Sequence, residues 1–305
     1  MRQAVEVEGL SKRFGDLQAV QEIAFRVAPG EIFGLVGLDG AGKTTTLRML
    51  SGVMQPDRGS VQIDGIDVGR DPELARLRLS YMPQRFGLYE DLTVAENIRF
   101  VAELFSVPRA EQVRRSGELL QAAGLLGFEH RLAGQLSGGM KQKLGLVCAL
   151  IHTPQVLLLD EPTTGVDPVS RRDFWAILYR LRESGVAIVM ATAYMDEAER
   201  CSRLALMHDG RIPYCDTPQA LKSLMPGALL AVHAQQPRLL PARLQRLAGV
   251  QGSLLMGDRV HVRVDDGALR LPQLQAALAD VAGLAIERIE PGIEDLFVAL
   301  LGGQR

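Results

Sequence analysis

The sequence predicts an α/β protein built on a mostly parallel sheet and followed by a smaller α+β unit. Three observations carry this expectation. Short apolar runs alternate with helical stretches as far as about residue 220, the pattern of strands joined by crossover helices. One of those runs, residues 31–36, ends in a glycine cluster that opens a helix. Around Met225-Pro226-Gly227 the pattern restarts and reads β-α-β-β-α-β, the order of a ferredoxin-like unit. The expected domains are 1–225 and 226–305.

Val5 and Val7 alternate with Glu6 and Glu8, and Phe25 and Val27 flank Arg26, so the first 30 residues read as strands. After the strand 31–36, a helix spans 42 to about 52. Residues 60–67 read as a strand pair turning at Asp64-Gly65, and 80–84 as another short strand. From about 86 to 150 the chain turns helical. Thr93 with Glu96 forms a capping box, and Val113 and Leu120 mark an amphipathic helix. The apolar run 156–159, between Pro154 and Asp160, fits a parallel strand buried on both faces. A helix over 169–184, a strand over 186–192 and a hairpin turning at Asp209-Gly210 close this part. Beyond the restart, strands at 229–234, 250–256, 260–264 and 284–289 alternate with helices at 241–248, 272–281 and 293–301. Asp265-Asp266 reads as a turn, and His233 and His261 are isolated, so no catalytic cluster shows in this tail.

Composition narrows the function classes. The 305 residues carry 34 Lys plus Arg against 36 Asp plus Glu, a net charge of -2. That balance argues against a dedicated nucleic-acid binder, which needs a basic face to neutralise phosphates. Hydrophobic residues make up 47%, enough for packed cores. Cys148, Cys201 and Cys215 have no metal-ligand spacing and form no even-numbered framework, which points to a reducing, cytosolic compartment. The longest apolar runs, 144–151 and 186–193, fall far short of the roughly 18 residues of a spanning helix. The first residues hold no apolar signal core, so the expectation is a chain that neither spans nor crosses a bilayer.

Residues 37–44, Gly37-Leu38-Asp39-Gly40-Ala41-Gly42-Lys43-Thr44, match G-x-x-x-x-G-K-[ST], after a strand and opening a helix. Glycines let backbone N–H groups approach phosphate oxygens, and the helix N-terminus adds positive potential. Lys43 supplies a full charge to the β- and γ-phosphates, and the Thr44 hydroxyl suits Mg²⁺. Asp160-Glu161 ends the buried strand 156–159, where open α/β sheets bind ligands. Asp160 would hold Mg²⁺ and Glu161 would polarise an attacking water. Alone, such a pair is a solvated strand end; beside the glycine loop it argues for an NTPase. A second small-residue turn, Leu136-Ser137-Gly138-Gly139-Met140-Lys141-Gln142, opens another helix. By itself Ser137 is an ordinary cap.

With these motifs in order, residues 4 to about 220 resemble the ATP-binding subunits of ABC transporters. The resemblance implies the ABC type of P-loop NTPase, with an antiparallel β subdomain and a helical subdomain over about 86–150. Phe14 matches the aromatic residue that stacks on adenine, and Thr45 completes the nucleotide-binding set. Gln84 matches the Q-loop residue, which senses Mg²⁺ and the permease and acts with Glu161. Ser137, Gly138, Gly139 and Gln142 match the signature, and Asp167, in Gly165-Val166-Asp167, the D-loop. The resemblance further implies that two such domains, in a homo- or heterodimer, sandwich two ATP molecules, each between one P-loop and the partner's signature. Thr44, Gln84 and Asp160 would hold Mg²⁺. An integral membrane permease would dock against the helical subdomain near Phe86, Leu88 and Tyr89, placing the chain on the cytoplasmic face of the membrane; no nucleic acid is implied. The segments 88–97 and 194–199, with Pro291-Gly292-Ile293-Glu294-Asp295-Leu296-Phe297, resemble ABC-2 exporters of the daunorubicin-resistance type.

Two positions depart from that pattern. The residue expected to be the switch histidine is Ala193, which cannot hydrogen-bond a γ-phosphate. Asp39 stands where asparagine is common and brings negative charge near phosphate. The expectation is an exporter ATPase with slow turnover at its own P-loop. The competing reading is a soluble regulatory or assembly module that clamps on ATP without hydrolysing it.

Overall fold

A computed structural model describes residues 2–84 and 87–301. It divides into two compact units, residues 1–215 and 216–305. The break falls earlier than the expected 225/226. Thr217 caps the short helix Pro218–Lys222, accepting from Ala220 N at 3.2 Å, and that helix packs against Ile293–Leu301 of the second unit.

The first unit holds β1 (Val5–Phe14), β2 (Leu17–Val27), β3 (Ile32–Val36), β4 (Arg58–Ile63), β5 (Ile66–Asp67), β6 (Leu79–Met82), β7 (Val156–Asp160), β8 (Ala187–Thr192), β9 (Arg203–His208) and β10 (Arg211–Asp216). One sheet has the order β2-β1-β4-β5 and is antiparallel. Val5 lies opposite Ile63 and Val7 opposite Val61, all buried, while the intervening residues face out.

The other sheet has the order β10-β9-β3-β8-β7-β6, parallel from β9 to β6. Its central strands β3, β7 and β8 are buried throughout. Alternate residues feed two cores. Leu157, Leu159, Ile188 and Met190 join Phe174 and Trp175 of the helix Pro168–Glu183. Val156, Leu158, Ala187 and Val189 join the antiparallel sheet and the helix Lys43–Leu50. Apolar residues are needed on both faces, which is why these strands read as unbroken apolar runs.

The helical insertion carries Val94–Leu104, Arg109–Ala123 and Gly138–Leu150. Its capping box is formed: Glu96 N donates to Thr93 Oγ1 at 3.2 Å, and Thr93 N to Glu96 Oε2 at 2.8 Å.

The second unit holds β11 (Ala228–His233), β12 (Val250–Met256), β13 (Arg259–Val264) and β14 (Ala285–Ile289), ordered β12-β13-β11-β14 with antiparallel neighbours. With helices at Leu240–Leu244 and Gly267–Ala277 this is the ferredoxin-like arrangement. Leu230, Val232, Val260 and Val262 pack beneath Leu240, Leu244 and Leu274. Two helices differ from expectation. The first stops at Leu244. The second begins at Gly267, not Pro272, because Asp266 Oδ1 accepts from Ala268 N at 2.9 Å and Leu269 N at 3.0 Å. Asp265-Asp266 is therefore a helix start, and Pro272 sits inside the helix.

Candidate functional site

Residues 37–44 connect the buried end of β3 to the helix Lys43–Leu50. Two glycines are obligatory there. A Cβ on Gly37 would lie 2.3 Å from Met207 O of β9, and one on Gly42, at φ +105°, 2.4 Å from Ala19 O of β2. Lys43 is 5% exposed. Its Nζ donates to Gly37 O at 2.8 Å and Leu38 O at 3.1 Å, and lies 3.4 Å from Glu161 Oε1. The cation thus sits inside the arch of the loop against its carbonyls, at the N-terminus of the helix the loop opens. Leu38, Asp39 and Gly40 are exposed at the crest; Ala41 is buried and Thr45 half-buried.

The acidic side comes from the parallel sheet. Asp160 closes β7 and is buried; its Oδ1 accepts from Thr44 Oγ1 at 3.0 Å and its Oδ2 from Tyr81 OH at 3.2 Å. Burial pushes the Asp160 carboxyl above the usual carboxylate range, against the pull of those two hydrogen bonds. Burial, aided by the Asp160 charge, pushes the Tyr81 phenol up to about 12. Glu161 follows with φ +47°, a left-handed conformation of the strained kind that clusters at functional sites. Its N–H donates to Ala191 O at 2.9 Å, and its Oε2 accepts from Gln84 Nε2 at 3.3 Å and Thr164 Oγ1 at 3.2 Å. Lys43, Thr44, Gln84, Asp160 and Glu161 form one connected set.

The remaining motif residues sit on other elements. Phe14 is exposed at the end of β1, with Lys12 Nζ 5.8 Å from its ring centroid. Ser137 caps the helix Gly138–Leu150, accepting from Met140 N at 3.3 Å, and both Ser137 and Gly138 are exposed. Gly139 is buried against Ser170, where a Cβ would lie 2.3 Å from Ser170 Oγ, so the position requires glycine. Gln142 is 2% exposed, so it is turned inward and away from the surface that Ser137 presents. Asp167 caps the helix Pro168–Glu183, its Oδ1 accepting from Val169 N at 3.1 Å and Ser170 N at 2.9 Å. The Ser170 hydrogen bonds hold its carboxyl below the usual range.

The family profile described as ABC transporter matches residues 20–164. The chain is 34% identical to the daunorubicin resistance ATP-binding protein DrrA2 of Streptomyces coeruleorubidus, over 98% of this chain and 95% of that one. The chain belongs to the ATP-binding proteins of ABC transporters. It is also 36% identical to Nod factor export ATP-binding protein I of Paraburkholderia xenovorans, over 98% of this chain and 97% of the relative. These relatives place it with the ABC-2-type, daunorubicin-resistance-like branch. A 41% match to the probable multidrug ABC transporter ATP-binding protein YbhF of Escherichia coli covers 98% of this chain and 52% of YbhF, so the chain spans about half of that relative. Among solved structures, an ATP-binding subunit of an ABC transporter aligns with TM-score 0.67 at 32% identity, over 72% of this chain and 92% of that one. A bacterial ABC transporter cassette solved as a dimer aligns with TM-score 0.64 at 26% identity, over 70% and 98%.

Within this ABC protein, Ala193 directly follows β8. The sequence reading missed the residue that anchors that segment. Glu197 is fully buried. It accepts from Thr163 Oγ1, from Thr192 Oγ1 at 2.7 Å and from Trp175 Nε1 at 3.3 Å, with the Arg171 guanidinium at 3.4 Å. Thr192 in turn accepts from Tyr194 N at 3.0 Å, and its carbonyl accepts from Gly37 N at 3.3 Å. Glu197 thereby ties the end of β8 to the loop after Glu161. In the sequence it stands beside Asp196 and Glu199, and only burial separates it from them. Tyr81, a half-buried strand residue whose OH reaches Asp160, was also missed.

A cavity of about 270 Å³ adjoins the helical insertion, lined by Met82, Leu88, Val101, Phe105 and Cys148 among others. Tyr89 is outside that lining; it is exposed and meets Phe100 edge-on at 4.8 Å. Phe86 lies outside the described residues.

Proposed function

We propose that this chain is the ATP-binding subunit of an ABC-2-type export system, binding and hydrolysing Mg-ATP between two cassettes to drive a membrane permease. The observation that carries the reading is the connected set of Lys43, Thr44, Asp160 and Glu161 beneath the glycine arch. The residues fit the group they would bind. Gly37 and Gly42 keep the loop clear of Cβ atoms, and Lys43 supplies the charge that phosphate requires. Thr44 Oγ1 and Asp160 Oδ1, 3.0 Å apart, are hard oxygen donors of the kind Mg²⁺ prefers, and Gln84 would complete that side. Bound there, the ion would neutralise charge on the β- and γ-phosphates. Glu161 would orient and deprotonate the attacking water, and Phe14 would stack on the adenine. The exposed Ser137 and Gly138 would close over the nucleotide of a second cassette.

Ala193 offers no hydrogen bond at the switch position, so we infer slow turnover at this P-loop. The full-length relatives named for drug resistance and export support coupling to a permease rather than a free-standing ATP clamp. The apolar cavity at Leu88 supports the helical subdomain as the docking face, with the chain held peripherally on the cytoplasmic side. Among the described residues, no helix is long and apolar enough to cross a membrane.

Steady-state ATPase of the purified chain, with Glu161→Gln as the blank, tests the chemistry. A slow, Glu161-dependent rate is expected; a rate untouched by the substitution would contradict it. Detergent pull-down tests the coupling. Recovery of a polytopic permease, lost on Leu88→Asp, is expected; recovery of soluble partners alone would overturn it.

A further inference from the structure

Two hydroxyls divide the Asp160 carboxylate between them. Thr44 Oγ1 donates to Oδ1 at 3.0 Å, and Tyr81 OH donates to Oδ2 at 3.2 Å. The strand register explains the second reach. Tyr81 of β6 stands opposite Leu158 of β7 in the parallel pairing, and Asp160 lies two residues further along β7 on the same face. That step is about 6.6 Å, which a phenol spans and a serine or threonine hydroxyl on β6 would not. The ring packs against the core that holds Val156 and Leu158, which fixes its direction.

The donor and acceptor roles follow from the groups involved. The Arg48 guanidinium lies beside the same phenol and can only donate. An ionised Asp160 can only accept. The single phenol proton therefore goes to Oδ2. Asp160 is 1% exposed, so protein groups rather than solvent hold its two oxygens. Gln84 takes no part in this, since its Nε2 donates to Glu161 Oε2.

Mg²⁺ and Ca²⁺ make different demands on a carboxylate. Ca²⁺ accepts both oxygens of one carboxylate within a flexible shell of roughly six to eight ligands, while the smaller Mg²⁺ requires near-octahedral geometry. A carboxylate with one oxygen already committed offers the other singly, which suits Mg²⁺ and penalises Ca²⁺. We propose that Tyr81 is a positioning residue that commits Asp160 Oδ2, presents Oδ1 alone beside Thr44 Oγ1, and so selects Mg²⁺ over Ca²⁺ at the nucleotide site. The proposal rests on the Mg-ATP reading above and adds the residue that sets which ion is accepted.

Binding of a fluorescent ATP analogue to the full chain is measured at saturating Mg²⁺, at saturating Ca²⁺ and in EDTA, for the wild type and Tyr81→Phe. The substitution removes one hydroxyl and keeps the ring. Affinity in EDTA should be unchanged. Affinity with Mg²⁺ should fall about tenfold, the low end of what losing the partner of a metal-binding carboxylate costs. Affinity with Ca²⁺ should hold, so the wild-type preference for Mg²⁺ shrinks by that same factor. An equal loss in all three conditions, the mark of a merely structural role, or an unchanged ratio of Mg²⁺ to Ca²⁺ affinity would overturn the proposal and leave the nucleotide reading standing. Failure of the wild type to bind nucleotide with Mg²⁺ would overturn both. A crystal structure of the wild type with Mg²⁺ and nucleotide decides the matter should the variant not fold. Oδ2 on Tyr81 OH with only Oδ1 turned to the ion is expected; both oxygens turned to the ion would overturn the proposal.

Discussion

Lys43 and Glu161 sit 3.4 Å apart, yet their replacements should separate two steps. Lys43→Ala removes a charged donor to phosphate and should weaken nucleotide binding roughly ten- to a hundredfold. Glu161→Gln keeps the shape and should leave binding intact while lowering turnover by about 10²–10⁴. Ala193→His should raise turnover about tenfold or more if the missing side chain limits hydrolysis, read in the same ATPase assay. Asp160 makes a pH prediction. Burial raises its folded pKa, so as pH climbs the unfolded chain releases this proton first. In that window, from the ordinary carboxylate value of 3.8 up to the raised one, the folded protein holds more protons and stability falls with rising pH. Above it the charged form remains buried at a cost. Asp160→Asn should therefore raise the melting temperature at neutral pH while abolishing magnesium-dependent turnover. Lys43, Thr44, Asp160 and Glu161 were legible in the sequence because loop and strand end dictate their spacing. Glu197 was not, since three carboxylates in one short segment look alike until burial separates them. Glu197→Ala would strand the buried donors of Thr163, Thr192 and Trp175 and should cost about 3–5 kcal/mol in urea unfolding.

At the scale of elements, the strands were the most readable, because β3, β7 and β8 need apolar residues on both faces and the chain shows them as runs. Helix starts were readable where a cap stands before a periodic segment, as at Thr93, and misread where proline drew the eye, as at Pro272. There the Asp266 carboxylate accepts from the amides of Ala268 and Leu269, and the helix begins before the proline. The His261–Asp295 pair was illegible for a topological reason: its halves come from β13 and the last helix, far apart in the chain. The signature helix carries the sharpest test of packing. Gly139→Ala would force a Cβ against Ser170 and displace the helix that Ser137 caps. A loss of about 1–3 kcal/mol on urea unfolding is expected, together with reduced turnover.

Across the whole molecule, the exposed Ser137 and Gly138 belong to a different helix start from the one that holds Lys43. One nucleotide shared by two copies would join these surfaces. The Glu161→Gln protein should therefore dimerise only with Mg-ATP present, and Ser137→Ala should weaken that dimer while the monomer still binds nucleotide; light scattering with and without ATP checks both.

Every role proposed for this chain depends on the glycine arch around Lys43 holding a triphosphate. Its most direct test is an equilibrium titration of a fluorescent adenine nucleotide into the folded chain at millimolar magnesium. Saturable binding that Lys43→Ala weakens by at least roughly tenfold is predicted. Failure of the folded wild-type chain to saturate, or equal affinity in Lys43→Ala, would contradict it.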